Sequence, residues 1–287
     1  MKIFKKKQTI NYEGRLLDLS TPVAMGILNV TPDSFYAQSR VSGEKEIITR
    51  AENIISEGGT IIDVGAYSSR PDAANITAEE EYRRLKPAIS LIKKHFPETF
   101  ISVDTFRSDI VQQLYAEFGC FIVNDISSGE IDKRMISSVG KLGLPYIAMH
   151  MRGIPATMQN EQNCVYNNIV TDIISYFVDK KKELAEAGVT DVIIDPGFGF
   201  GKTLSGNYEL LAGTDAFRIL EQPILVGISR KSMFYKLLDT VPEKSLPATI
   251  AGNMVALQKG ADILRVHDVK EACDTIKIYT EIQKFSK

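Results

Sequence analysis

DVIIDPG, Asp191 to Gly197, is a short apolar run, rich in β-branched residues, that stops on an acidic residue, a proline and a glycine. It reads as a strand buried on both faces, because a half-buried strand would alternate apolar with polar residues. Similar runs stand on either side: VAMGILNV (Val23 to Val30), TIIDVG (Thr60 to Gly65), FISVD (Phe100 to Asp104), CFIVND (Cys120 to Asp125), LPYIAMH (Leu144 to His150), PILVGIS (Pro223 to Ser229) and DILRVH (Asp262 to His267). Together they make eight candidate strands.

Segments with helical periodicity lie between them. Ile47, Ile48, Ala51, Ile54 and Ile55 form one face, ended by Gly58 and Gly59; Ile169, Ile173, Phe177 and Leu184 form another, ended by Gly188. Thr77 followed by Glu80 is a capping-box signature, and Pro87 is expected to kink or restart the helix that follows. Strict alternation of strand and helix implies a parallel sheet. Eight such units predict an α/β fold, a closed (β/α)8 TIM barrel; an open doubly wound sheet is the runner-up, disfavoured because no glycine-rich fingerprint follows the first strand. Thr9 to Tyr12 and Arg15 to Leu19 flank Glu13-Gly14 as a short N-terminal β-hairpin. Residues 1–22 are therefore expected to close the barrel bottom and residues 23–287 to form the single barrel domain.

A length of 287 residues would otherwise suggest about two domains, with a large α/β barrel as the exception. At 44% hydrophobic and 24% charged residues the composition is that of a globular protein. A net charge of -2 argues against coating nucleic acid or an anionic membrane, while leaving room for a local anion pocket. Cys120, Cys164 and Cys273 are odd in number and far apart, so no disulfide framework is expected and a reducing cytoplasm is the simplest home. With only His95, His150 and His267 beside them, a zinc cluster is not expected. Lys2, Lys5, Lys6 and Lys7 read as a solvated end, because no apolar h-region follows them, and no run is long enough for a membrane span.

In such barrels the carboxyl ends of the strands surround the active site. Here those ends read Asn29, Asp63, Asp104, Asn124 with Asp125, His150, Asp195, Ser229-Arg230-Lys231, and Arg265 with His267. Asp104, Asn124 and Asp195 offer carboxylate and amide groups suited to a flat heterocycle with amidine-like N–H donors. Lys231, Arg265 and His267 offer positive charge for an anion such as a diphosphate. A lone Asp or Asn at such a position is as readily a helix cap, a reading that weakens as the ring fills with polar residues.

Three partial motifs fail. GFGFGKT, Gly197 to Thr203, ends like a phosphate-binding loop, but the required first glycine falls on Pro196. The third glycine of a dinucleotide fingerprint falls on Lys202, and Lys231 replaces the closing glycine of a nucleophile elbow begun at Gly227.

MGILNVTPDSF, Met25 to Phe35, resembles the signature of the dihydropteroate synthases within the pterin-binding barrel family. DVGAYSSRP (Asp63 to Pro71), SVDTFR (Ser102 to Arg107), NDISSG (Asn124 to Gly129), MHMRGIPATMQ (Met149 to Gln159), DPGFGFGKT (Asp195 to Thr203), GISRKS (Gly227 to Ser232) and RVHDV (Arg265 to Val269) follow in the family's order. The resemblance covers the chain from Leu16 onward. It implies condensation of 6-hydroxymethyl-7,8-dihydropterin diphosphate with 4-aminobenzoate in folate biosynthesis, Mg²⁺ as cofactor, a homodimer, and competition by sulfonamides.

Carried over by position, the resemblance assigns Asp104, Asn124, Met149, Asp195, Phe200, Gly227 and Lys231 to the pterin. Asn29, Arg70, Arg265 and His267 go to the diphosphate, with Asn29 as the metal ligand. Phe35, Ser69, Pro71, Phe200, Lys231 and Ser232 go to 4-aminobenzoate. Asp104, Lys231, Arg265 and His267 are the expected catalytic set, and Asp33 belongs with Phe35 to a first mobile loop. Tyr36 to Arg40 depart from the family's usual first-loop sequence, as do Ser69 and Asp72 in the second loop. Two relatives of the same fold compete with this reading: a methyltetrahydrofolate-type methyltransferase domain and a non-catalytic pterin-binding homologue. The first needs neither the NVTPDSF loop nor the Arg-x-His pair, and the second tends to lose the diphosphate residues, which are present here.

Overall fold

A computed structural model of the chain describes residues 6–30, 40–67 and 76–286, the side chains of 40–42 excepted. Strands β1 (Thr9–Tyr12) and β2 (Arg15–Asp18) form an antiparallel hairpin. Its turn places Glu13 at φ 52° and Gly14 at φ 84°, the paired left-handed residues that match strand twist in a two-residue loop.

The remaining strands are β3 (Val23–Asn29), β4 (Ile61–Gly65), β5 (Phe100–Asp104), β6 (Ile122–Asp125), β7 (Tyr146–Met149), β8 (Val192–Asp195), β9 (Leu225–Val226) and β10 (Ile263–Val266). They form one eight-stranded sheet in the order β8-β7-β6-β5-β4-β3-β10-β9. A parallel bridge between Ile194 and Ile224 brings its two edges together, as a barrel requires. Helices cover the outside, among them Arg40–Ser56, Ala78–His95, Ile169–Glu186 and Val269–Gln283. This is the expected (β/α)8 barrel with an N-terminal hairpin.

The hairpin lies across the amino ends of the strands. Ile10, Tyr12, Leu17 and Leu19 are buried, and Asp191, just before β8, accepts from the Asn11 amide at 3.0 Å and from Lys7 at 2.7 Å. Lys6 pairs with Asp262 at 2.5 Å. These two lysines are docked, contrary to the expectation of a freely solvated end, because the barrel bottom presents carboxylates to them.

Two further details differ from the sequence reading. The helix Ala78–His95 runs unbroken through Pro87. Burial of Leu85, Ala88, Ile89 and Ile92 against the barrel holds together the turn that the lost hydrogen bond weakens. Only half of its capping box forms: Thr77 accepts from the Glu80 amide at 3.2 Å, but the Glu80 carboxylate binds Arg83 and Arg84 instead. The β9 strand is only two residues long, since the chain leaves the sheet at Gly227.

Candidate active site

Asp63, Asn124, Asp195 and Arg265 stand on β4, β6, β8 and β10, the alternate strands that supply one layer of a barrel interior. Asn29, Asp104 and Met149 end the intervening strands β3, β5 and β7. Two interior layers that an ordinary barrel fills with Val, Ile and Leu are therefore largely polar at this end.

The polar groups contact one another. Arg265 donates from Nε to Asp63 Oδ2 at 2.6 Å and from Nη2 to Asp104 Oδ2 at 2.7 Å. Asn124 Nδ2 lies 3.3 Å from both Asp63 oxygens. Burial alone would lower the Arg265 pKa, but Asp63 and Asp104 override it and raise it, so the guanidinium stays charged. Burial raises Asp104 above the ordinary carboxylate range, with Arg265 opposing and Asp63 adding to the shift. Burial also raises Asp195, against the pull of Lys231.

The loop after β8 forms the adjoining wall. Gly197 at φ 73° is obligatory, since a Cβ there would stand 1.9 Å from the His150 carbonyl oxygen. The Gly199 amide donates to Asn207 Oδ1 at 2.6 Å, and Gln159 Nε2 donates to the Gly199 carbonyl at 2.8 Å. This pinning brings Phe200 against an apolar cluster of Phe106, Ile126, Met149, Met151 and Met158. Lys231 donates to the Phe198 carbonyl, and its ammonium sits 4.7 Å from the Phe200 ring centroid. Burial lowers the Lys231 pKa to about 8, with Asp195 countering it.

His267 follows β10, one residue beyond its end. Its Nδ1 is 3.0 Å from Ser229 Oγ, which also accepts the His267 amide at 3.2 Å. Although His267 is solvent-exposed, partial desolvation by the surrounding walls, and then Arg265, lower its pKa to about 4, so the imidazole is neutral at physiological pH in the substrate-free protein. Asn29 is exposed at the rim, and its Oδ1 would lie 3.2 Å from a Cβ built on Gly65. Ser232 opens the helix Ser232–Leu237 and lines a cleft of about 470 Å³ beside the ring, together with Lys202, Asn207 and Lys236.

Some residues of the predicted ring serve other ends. Asp125 binds the amides of Ser127 and Gly129 at 2.8 and 2.7 Å and accepts from the Tyr146 hydroxyl at 2.7 Å, so it builds the turn after β6. His150 is buried edge-on against Tyr176, with centroids 4.9 Å apart, and takes no place in the pocket. Arg230 is paired with Asp268. Asp33, Phe35, Ser69, Arg70, Pro71 and Asp72 lie outside the described residues. The flanks of the second loop are held nonetheless: Arg107 donates to the Ile76 carbonyl at 2.7 Å, and the Tyr67 and Phe106 rings meet edge-on at 5.1 Å.

Sequence reasoning named Asp63 as a strand end without giving it a task, and dismissed Lys202 together with the failed phosphate loop. Lys202 is in fact buried, donating to the Gly197 and Phe200 carbonyls at 2.8 and 2.9 Å. A lone lysine inside a glycine-rich loop was the signal available for it.

The Pterin binding enzyme family matches residues 25–267. The dihydropteroate synthase of Escherichia coli (strain K12) is 40% identical over 268 residues, spanning 93% of each chain. The chain belongs to the dihydropteroate synthase family. Another member, from Haemophilus influenzae, is 38% identical over 92% of this chain and 95% of its own. Among solved dihydropteroate synthases, that of Yersinia pestis in a sulfonamide drug complex superposes with a TM-score of 0.88 at 35% identity, covering 96% of this chain and 99% of that one. That of Xanthomonas albilineans with 4-aminobenzoic acid gives 0.86 at 31% identity, covering 96% and 98%. This family member is therefore an enzyme of folate biosynthesis, and among its described residues no helix is long and apolar enough to cross a membrane.

Proposed function

We propose that the strand-end ring carries dihydropteroate synthesis, with the residues divided between the two substrates. The reaction joins 6-hydroxymethyl-7,8-dihydropterin diphosphate to 4-aminobenzoate, giving 7,8-dihydropteroate and diphosphate. The observation that supports the division is the meeting of acceptors on Asp104, Asn124 and Asp195 with the cations of Lys231 and Arg265 at one barrel mouth. Asp104, Asn124 and Asp195 accept from the N–H edge of the pterin, while Met149, Phe200 and Gly227 line its faces. Arg265, His267 and Asn29 hold the diphosphate, joined by Arg70. Lys231 and Ser232 take the benzoate carboxylate, with Phe200, Phe35, Ser69 and Pro71 around the ring.

In the reaction the methylene–oxygen bond breaks, its electron pair leaves with the diphosphate, and the electron-rich ring delocalises the resulting cation. Arg265 and the neutral His267 stabilise charge that grows on the leaving group, and fixed donors of this kind are the strongest aid a preorganised site gives to such a step. Asp104 holds negative charge beside the cation. The apolar cluster around Met149 and Phe200 keeps water from capturing it. The neutral arylamine then attacks and loses its proton without a strong base.

The residues present fit Mg²⁺ as cofactor. Among the described residues no three His, Cys, Asp or Glu converge on a metal site, and exposed Asn29 offers one hard oxygen at the rim. Mg²⁺ commonly takes few protein ligands, keeping waters and substrate phosphates. When bound it would neutralise diphosphate charge. We also assign a cytoplasmic location, a homodimeric state and inhibition by sulfonamides, on the likeness to the family. The test is diphosphate release by purified protein with both substrates and Mg²⁺: release dependent on 4-aminobenzoate is expected, and its absence would overturn the reading.

A further inference from the structure

Asp63 belongs to none of the substrate-binding groups above, yet it is the hub to which two of them are tied. It is fully buried on β4 (0% exposed). Its carboxylate accepts from Arg265 on β10 at 2.6 Å and from Asn124 on β6 at 3.3 Å. A carboxylate only accepts hydrogen bonds, whereas a side-chain amide has one donating and one accepting end. Facing Asp63, Asn124 must therefore turn its Nδ2 inward. Its Oδ1 is left for a ligand, and among the described residues nothing donates to it.

We propose that Asp63 is a positioning residue that locks the Asn124 amide, so that the site presents an unbroken row of acceptors and selects heterocycles by their donating edge. This rests on the assignment of Asn124 to the pterin. With the amide reversed, Asn124 would offer a donor to the ring and set its oxygen against the Asp63 carboxylate. Asp63 thus decides whether position 124 reads an amino group or a carbonyl group on the ligand. Arg265 supports the lock from the other side, through its charge-assisted bond to the same carboxylate.

The experiment is a reciprocal exchange read by calorimetry with the diphosphate substrate and with its lumazine-type analogue, whose ring has a carbonyl where the pterin has the amino group. Wild type should prefer the amino ring. Asp63→Asn should narrow that preference by about tenfold or more, since an amide at position 63 tolerates either orientation of Asn124. Asn124→Asp sets two carboxylates face to face and should weaken binding of both rings. The double variant Asp63→Asn/Asn124→Asp restores a donor–acceptor pair at unchanged net charge and should regain the amino-ring preference. It also decides the matter if a single variant fails to fold. A purely structural Asp63 would leave the ratio of the two affinities unmoved. An unchanged ratio in Asp63→Asn, or a double variant that binds no better than Asn124→Asp, overturns the proposal. If Asn124→Ala leaves pterin affinity unchanged, the assignment of Asn124 itself has failed, and the proposal with it.

Discussion

Arg265 Nη2 lies 2.7 Å from Asp104 Oδ2, so a group assigned to the leaving diphosphate and a group assigned to the pterin are directly paired. The same guanidinium reaches Asp63 through Nε, which fixes its plane. Arg265→Ala removes the proposed leaving-group contact and leaves buried Asp63 and half-buried Asp104 without their counter-charge. Turnover, followed as diphosphate release, should fall by roughly two to three orders of magnitude. Arg265→Lys should recover only part of it, because a shorter side chain with a single nitrogen lacks the planar fork by which Nε and Nη2 reach Asp63 and Asp104 separately. Activity of Arg265→Ala within about threefold of wild type would remove Arg265 from the mechanism.

Lys231 gives the site an alkaline limit. Burial lowers its pKa to about 8, so the ammonium is present below that pH and lost above it. Free-enzyme titrations appear in kcat/KM, which should fall about tenfold per pH unit above the Lys231 pKa. On the acid side, burial raises Asp104 and Asp195. Their protonation should make kcat/KM decline at a higher pH than ordinary carboxylates, near about 4, would cause, producing a bell. Lys231→Arg should carry the alkaline limb upward at a lower maximum; a limb that stays in place in this variant would assign it to another group.

Gly197→Ala tests the loop after β8. The added methyl would meet the His150 carbonyl at 1.9 Å on a backbone already at φ 73°. One of the two segments must shift, costing about 2 kcal/mol or more of stability. Thermal denaturation should show the loss, and pterin affinity should fall with it because Phe200 rides on the same loop. A wild-type melting curve would mean that the two backbones are not held this close.

The barrel was legible because its strands are short, continuous apolar runs, a pattern that only burial on both faces explains. Pro87 misled because the burial of Leu85, Ala88, Ile89 and Ile92 outweighs one missing hydrogen bond. The site was legible as a ring of strand ends but not as a division of labour. Asp125 and Asp63 are both acidic residues at strand ends, and only their partners, the Ser127 and Gly129 amides for one and Asn124 and Arg265 for the other, separate a turn-builder from a hub. Arg265 stands 202 positions from Asp63, beyond any local pattern.

Lys202 closes a motif that looks like a phosphate loop, and its surroundings show what it does instead. Its Nζ donates to the Gly197 carbonyl at 2.8 Å and the Phe200 carbonyl at 2.9 Å, and lies 3.2 Å from His150 Nδ1. It thus pins the loop from within, against the same strand end that Gly197 packs on. Lys202→Met keeps the bulk but takes the donor from the Phe200 carbonyl and leaves the Gly197 carbonyl only the Phe200 amide at 3.1 Å. The expected cost is about 3 kcal/mol, a fall in melting temperature on the order of 10 °C. Because the loop carries Phe200, whose ring also faces the Lys231 ammonium, pterin affinity should weaken while the substrate-free protein stays folded below its new melting point. Calorimetry with the pterin diphosphate beside a thermal melt separates this from a phosphate-binding role. If Lys202 bound phosphate, inorganic diphosphate affinity would collapse in Lys202→Met at unchanged stability; the geometry predicts the reverse, lost stability with diphosphate affinity largely kept.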